Sequence, residues 1–258
     1  MADAHARTRA RGRGGLAVLR LFVPRAAVEG TRVRITGAEL RHLRTLRLRP
    51  GDRLLVFDEE GAEHDVCLDR LGGHAAEAAI VATHRAVREP ALDLTLAPAL
   101  LKGAKMDLVV EKATELGVAR IVPVVSRYAV AQGARVERWR RIALAAAKQS
   151  GRTRVPDVEP PSALAELVAR PWPGLRLIAW EGERQRPLAL LPAATTAIVV
   201  LVGPEGGFAE DEVEAARAHG FTTVTLAPRV LRAETAAITA VALCLHRWGD
   251  LSTAGGVR

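Results

Sequence analysis

Residues 201–213 read LVGPEGGFAEDEV. An apolar run stops at Gly203-Pro204-Glu205-Gly206-Gly207, and an acidic segment with helical character follows. A strand, a glycine-rich turn and a helix in that order make one unit of an α/β sheet. Such turns often cradle phosphate, yet neither GxGxxG nor GxxxxGK[ST] is present near this one. Glu205 would repel a pyrophosphate. Asp211 and Glu212 already complement the positive end of the helix that a phosphate would need. A nucleotide diphosphate is therefore disfavoured, and an adenosyl ligand without phosphates fits better. Read alone, the stretch is better taken as a structural turn whose Gly206 and Gly207 adopt φ > 0 and whose acids favour the helix dipole.

In open α/β sheets, ligands sit beyond the carboxyl ends of the strands. A second strand end stands out, Ala227-Pro228-Arg229-Val230-Leu231-Arg232-Ala233-Glu234-Thr235, after the strand candidate TTVTLA. Arg232 lies close to the start of the last helix, where a cation opposes the macrodipole. A position that violates local preference is a candidate functional site. The plainer alternative is an ion pair of Arg232 with Glu234 or another acid. S-adenosylmethionine, a cationic adenosyl ligand without phosphates, suits the pair of turns.

Outward from these turns, residues 90–250 alternate strands and helices. LDLTLAPAL, ARIVPVV, LRLIAW, AIVVLVG and TTVTLA are strand candidates. Helices are predicted over 105–116, with Met106, Val109, Val110, Ala113 and Leu116 on one face. Others are predicted over 136–150, 210–218 and 234–248. This rhythm implies a mainly parallel sheet covered on both faces. Residues 20–89 are different: short strand candidates, hairpin turns at 58–61 and at Gly72-Gly73, and one short helix over 37–46. They predict a small, mostly antiparallel domain. Residues 1–19, rich in Arg, Gly and Ala, are expected to be a disordered basic tail, and residues 251–258 a flexible one.

The chain has 258 residues, 49% of them apolar, enough for a real core in one large or two ordinary domains. No apolar run reaches the eighteen or so residues that span a bilayer, so the chain reads as soluble, with no membrane partner. Leu16 to Leu19 is too short for a signal-peptide core, and the expectation is a cytoplasmic protein. Cys67 and Cys244 lack CxxC spacing and read as free thiols in a reducing compartment. The seven His have no metal-ligand spacing, so no metal is expected. The net charge is +8, and residues 32–53 hold seven Arg against Glu39 and Asp52. That density suits RNA phosphates or, equally, a solvated surface in an Arg-rich chain.

Five stretches together resemble the bacterial 16S ribosomal RNA uracil-N3 methyltransferases of the SPOUT superfamily. They are HLRTLRLRPGDRLLVFD, KGAKMDLVVEKATELGVARIVPVVSRYAV, ERWRRIALAAAKQSGR, LVGPEGGFAEDEV and LAPRVLRAETA, spread between about Leu21 and Asp250. The resemblance implies a PUA-like β-barrel over 20–89 that helps bind RNA. It implies an α/β domain with a deep trefoil knot over 90–250, where unaided physical reasoning gives an unknotted doubly wound sheet. It also implies a homodimer, S-adenosyl-L-methionine as methyl donor, and 16S ribosomal RNA of the small subunit as substrate. Carried over by motif, Gly203, Glu205, Gly206 and Gly207 line the donor site. Leu226, Ala227, Arg229, Leu231 and Arg232 form its second wall, with Thr235 and Ala236 at the edge. The chain departs from the family at Ala227 (usually Gly), Ala233 (usually Thr) and Ala209 (often Ser). Ala227 matters if that position requires φ > 0, and Ala209 forgoes a helix cap worth about 1 kcal/mol at most.

Uracil N3 is a poor nucleophile until its weakly acidic proton leaves, and it lies on the Watson–Crick edge, so the base must be unpaired. Arg232 is the first candidate for stabilising the developing charge on the uracil carbonyls. Glu205 or Glu234 could act as base, or could orient Arg232. Lys102, Lys105, Arg127, Lys148, Arg152 and Arg154 are candidates for tracking RNA phosphates. Trp139, Trp172, Trp180 and Trp248 read as core or interface residues. Two other readings stay open: a SPOUT methyltransferase acting on another RNA or atom, and a non-catalytic RNA-binding or ribosome-assembly protein.

Overall fold

A computed structural model describes residues 19–85, 89–129, 135–191 and 194–251. Except for Leu19 and Leu251, the two expected tails lie outside these residues. The first part of the chain forms β1 (Arg20–Phe22), β2 (Val28–Glu29), β3 (Arg32–Ile35), α1 (Gly37–Thr45), β4 (Arg53–Phe57), β5 (Ala62–Leu71) and β6 (Ala76–Arg85). The strands make one sheet of order β1-β4-β5-β6-β3-β2. Its pairings are antiparallel, except that β1 runs parallel to β4. Alternation sets the register: Val33 and Ile35 are buried between exposed Arg32 and Arg34, so a one-residue slip would put arginines in the core. α1 covers this core with Leu40 and Leu43. All seven arginines of residues 32–53 are exposed.

The second part forms β7 (Asp93–Pro98), α2 (Lys105–Leu116), β8 (Arg120–Ile121), β9 (Val124–Val125), α3 (Val136–Ser150), β10 (Asp157–Val158), β11 (Ser162–Ala163) and α4 (Leu164–Ala169). β12 (Leu175–Ala179), β13 (Ala197–Val202), α5 (Glu210–Ala218), β14 (Thr222–Val224) and α6 (Ala233–Trp248) complete it. Six strands form a sheet of order β10-β8-β7-β13-β12-β14. Each neighbouring pair in it is parallel. The strands are buried on both faces, as a parallel sheet requires. Leu94, Leu96, Val200 and Val202 pack with residues of α2, α3 and α6. Ala97, Val199 and Leu201 pack with residues of α4 and α5 on the opposite face. Leu96 has no exposed surface, and truncating such a leucine to alanine costs about 2–5 kcal/mol.

One expected strand is divided. ARIVPVV becomes β8 and β9 on either side of Pro123, which has no N–H to donate to a ladder. β8 stays in the large sheet, while β9 pairs with β11 in a separate two-stranded sheet. β10, β11 and α4 lie in the stretch between α3 and β12, where no element had been expected.

A buried polar seam joins the two parts. Glu89 accepts hydrogen bonds from Arg152 Nη2 (2.6 Å) and Nε (3.1 Å) and from the backbone N–H groups of Thr153 and Arg154 (2.9 Å each). Arg152 Nη1 also donates to the carbonyls of Thr114 (2.9 Å) and Val118 (2.8 Å). From β1, Arg20 bonds Glu63 and the Arg152 carbonyl (3.2 Å). Lys148 of α3 pairs with Glu39 of α1. Two candidate phosphate contacts are thus corrected: Arg152 is buried and saturated, and Lys148 is spent on Glu39. Lys102 and Arg154 remain exposed.

Candidate functional site

β12 pairs with β13 on one side and β14 on the other, so the carboxyl ends of three strands stand together. The turns that follow them enclose one cavity of about 950 Å³. The turn after β13 contributes Gly203, Pro204, Glu205, Gly206 and Gly207. The turn after β14 contributes Leu226, Ala227, Arg229, Val230, Leu231 and Arg232, and α6 adds Ala233 and Ala236. Every candidate donor-site residue therefore lies in one lining except Thr235, which is exposed on α6 outside it.

The third wall escaped the sequence reading. Trp180, Glu181, Glu183, Arg184 and Pro187 follow β12 and line the same cavity. Their loop is pinned to β14: Trp180 N–H donates to Val224 O (3.1 Å), Thr225 N–H to Arg186 O (2.9 Å) and Leu188 N–H to Thr225 O (3.0 Å). Glu183 holds the loop's shape. Its carboxylate accepts from the Gln185 and Arg186 N–H groups and the Thr223 hydroxyl, and those bonds keep it below the usual carboxylate range. Trp180 packs against the core and also lines the cavity, so it is more than the core residue expected. The signal that could have found this wall is the strand-end rule applied to LRLIAW, which also ends in a polar loop.

The first turn is wired to α2. Lys105 Nζ lies 2.8 Å from Glu205 Oε1 and 3.5 Å from Glu234 Oε2. Burial pushes the Glu205 carboxyl up, but the Lys105 hydrogen bond and nearby backbone groups outweigh it and leave it below its ordinary value. The Lys105 ammonium is raised, chiefly by its bond to Glu205. Both acids thus answer to Lys105, and neither orients Arg232. Lys105 is correspondingly committed here rather than free for phosphate, and Arg127 is likewise engaged by Asp211 (2.9 Å). The Arg232 side chain has no hydrogen bond or ion pair with any described residue, which removes the alternative of a pair with Glu234.

The three departures from the family pattern have local readings. Among the described residues only Arg47 and Ala194 are non-glycine positions with φ > 0, so Ala227 is unstrained. Ala233 is buried as the first residue of α6, where its methyl suffices. Ala209 precedes α5 with extended φ/ψ (−69°, 152°) but has no side-chain acceptor. Glu212 supplies half of a capping box by accepting the Ala209 N–H at 2.9 Å.

Gly207 is required by its backbone. Its φ is +72°, a conformation L side chains rarely adopt, whereas Gly206 does not share the positive φ expected of both. A Cβ at Gly207 would also meet the Glu181 carboxylate, the end of a flexible exposed side chain that can turn aside. Among the described residues no group of three or more His, Cys, Asp and Glu could hold a metal ion. No described helix is long and apolar enough to cross a membrane.

Comparison with known proteins agrees with this geometry. The family model for the RNA methyltransferase domain matches residues 88–245. The chain is 30% identical over 218 residues to ribosomal RNA small subunit methyltransferase E of Mesomycoplasma hyopneumoniae, covering 82% of this chain and 92% of that protein. The Synechocystis protein of the same name is 33% identical over 233 residues, covering 86% and 75%. A crystal structure of ribosomal RNA small subunit methyltransferase E from Neisseria gonorrhoeae, bound to S-adenosyl methionine, superposes with a TM-score of 0.84 at 36% identity, covering 91% of this chain and 99% of that one. With the model spanning most of the chain and the parallel sheet shared with such a neighbour, the chain belongs to the RNA methyltransferase family.

Proposed function

We propose that the chain transfers a methyl group from S-adenosyl-L-methionine to N3 of a uridine in 16S ribosomal RNA of the small subunit. The observation that carries the reading is the single cavity uniting GPEGG, LAPRVLR and the partner-free Arg232. The relatives named for small-subunit ribosomal RNA methylation, and the neighbour solved with S-adenosyl methionine, support it.

The cavity suits such a donor. Gly203, Gly206 and Gly207 present bare backbone, and the turn carries Glu205 where a phosphate loop would carry none. Gly203, Glu205, Gly206, Gly207, Leu226, Ala227, Arg229, Leu231, Arg232 and Ala236 would hold it, without Thr235. When bound, it supplies an electrophilic methyl carbon. Arg232 places a planar cation where negative charge develops on the uracil carbonyls, which lowers the cost of losing the N3 proton to water. Glu205, kept ionised below its ordinary range, is a weak base, and its role is to hold the turn through Lys105.

The same reading takes 20–89 as a PUA-like barrel presenting its arginines to RNA, and 90–250 as a knotted SPOUT domain that works as a cytoplasmic homodimer. The test is mass spectrometry of ribosomal RNA nucleosides from a strain lacking the gene. Loss of 3-methyluridine from 16S RNA is expected. An intact level would overturn the uridine assignment in favour of another RNA or atom.

A further inference from the structure

The lining holds three carboxylates with unequal surroundings. Glu183 is saturated by three donors, and Glu205 is paired with Lys105. Glu181, two residues before Glu183, has no hydrogen bond or ion pair with any described residue. It nonetheless sits against the bare Cα of Gly207, in the space a side chain would otherwise fill. Exposed at the cavity wall, the Glu181 carboxylate is hydrated and stays free to meet a cation or a donor that enters. A phosphate does not meet that carboxylate's need, since it brings neither a cation nor a donor. The remaining lining charges, Arg184, Arg229 and Arg232, are cations without partners of their own.

We propose that Glu181 reads the sulfonium charge of the methyl donor and so makes the site prefer the charged donor over its neutral-sulfur product. This rests on the donor assignment above. Methyl transfer removes one positive charge from the donor sulfur, so a carboxylate beside it holds the donor more tightly than the product. Product release is thereby favoured without any movement of the protein. The attraction is solvent-screened, because Glu181 is exposed, and its effect is correspondingly modest.

The test is calorimetric titration of the native protein and of Glu181→Gln with S-adenosylmethionine, S-adenosylhomocysteine and 5′-methylthioadenosine. The variant should lose about three- to fivefold in affinity for S-adenosylmethionine while both neutral-sulfur ligands stay essentially unchanged. Parallel loss for S-adenosylmethionine and S-adenosylhomocysteine would mean that the shared amino group is read instead, and would overturn the proposal. Unchanged affinity for all three would overturn it too. Glu183→Gln is the structural control: a lower melting temperature with no selective loss is expected, and a selective loss equal to that of Glu181→Gln would overturn the assignment to Glu181. Failure of the native protein to bind S-adenosylmethionine would instead refute the donor site itself.

Discussion

The turns that end β13 and β14 stand one strand apart and are built on opposite principles. The first is closed upon itself: Gly207 N–H donates to Pro204 O at 3.0 Å, and Glu205 is tied to Lys105. The second is open. Arg229 and Val230 are exposed, and neither Arg229 nor Arg232 has a side-chain partner among the described residues. A turn whose charged side chain is already paired offers a ligand its backbone, while one that leaves cations unpaired beside a cavity offers it charge.

The largest expected effect strikes the open turn. Arg232→Ala should keep donor binding in calorimetry and lose about 10²–10³-fold in methyl transfer to small ribosomal subunits. Full activity in that variant would erase the contrast. Next comes the closed turn: Gly207→Ala must adopt a positive φ and displaces the Glu181 carboxylate from its place. It should destabilise the fold by about 1–2 kcal/mol in urea unfolding and weaken donor binding at the same time. Lys105→Met leaves Glu205 and Glu234 facing one another without their cation. Donor affinity should drop by less than in Gly207→Ala, and the Glu205 carboxyl should titrate higher by NMR. In the native protein that carboxyl is depressed, so its contribution to stability is fully present at neutral pH. It is lost as the pH falls below the ordinary carboxylate range, about 4. The smallest change is a gain: Ala209→Ser restores the missing cap acceptor of α5 and should add about 0.5–1 kcal/mol to unfolding stability.

The difference between the turns also marks what the sequence could say. Most strands and helices of residues 90–250 were legible because apolar runs and glycine stops are local signals. Gly117, at φ 121° after α2, is one such stop. GPEGG and LAPRVLR were found as separate motifs, and their convergence on one cavity followed from strand-end logic. The third wall was not found, because the loop GERQRP carries no glycine-rich or apolar signature. Its place depends on β12 lying between β13 and β14, a fact of sheet order rather than of local sequence. The same limit explains Lys105 and Glu205, which lie 100 residues apart in sequence, and Arg152, whose burial could not be read from charge alone. The division of ARIVPVV was legible in principle, since Pro123 sits in its middle.

The Glu89–Arg152 seam has a consequence for measurement along a nucleic acid. Beside it, Arg20 of β1, bonded to Glu63 and to the Arg152 carbonyl, and the Lys148–Glu39 pair tie the N-terminal sheet and α1 to the end of α3. The exposed arginines of residues 32–53 and the cavity mouth are thereby kept at a set separation. Under the proposed RNA-binding role of that sheet, an RNA held there would be metered out to the cavity as by a ruler, and the nucleotide that arrives would be chosen by length before any base is read.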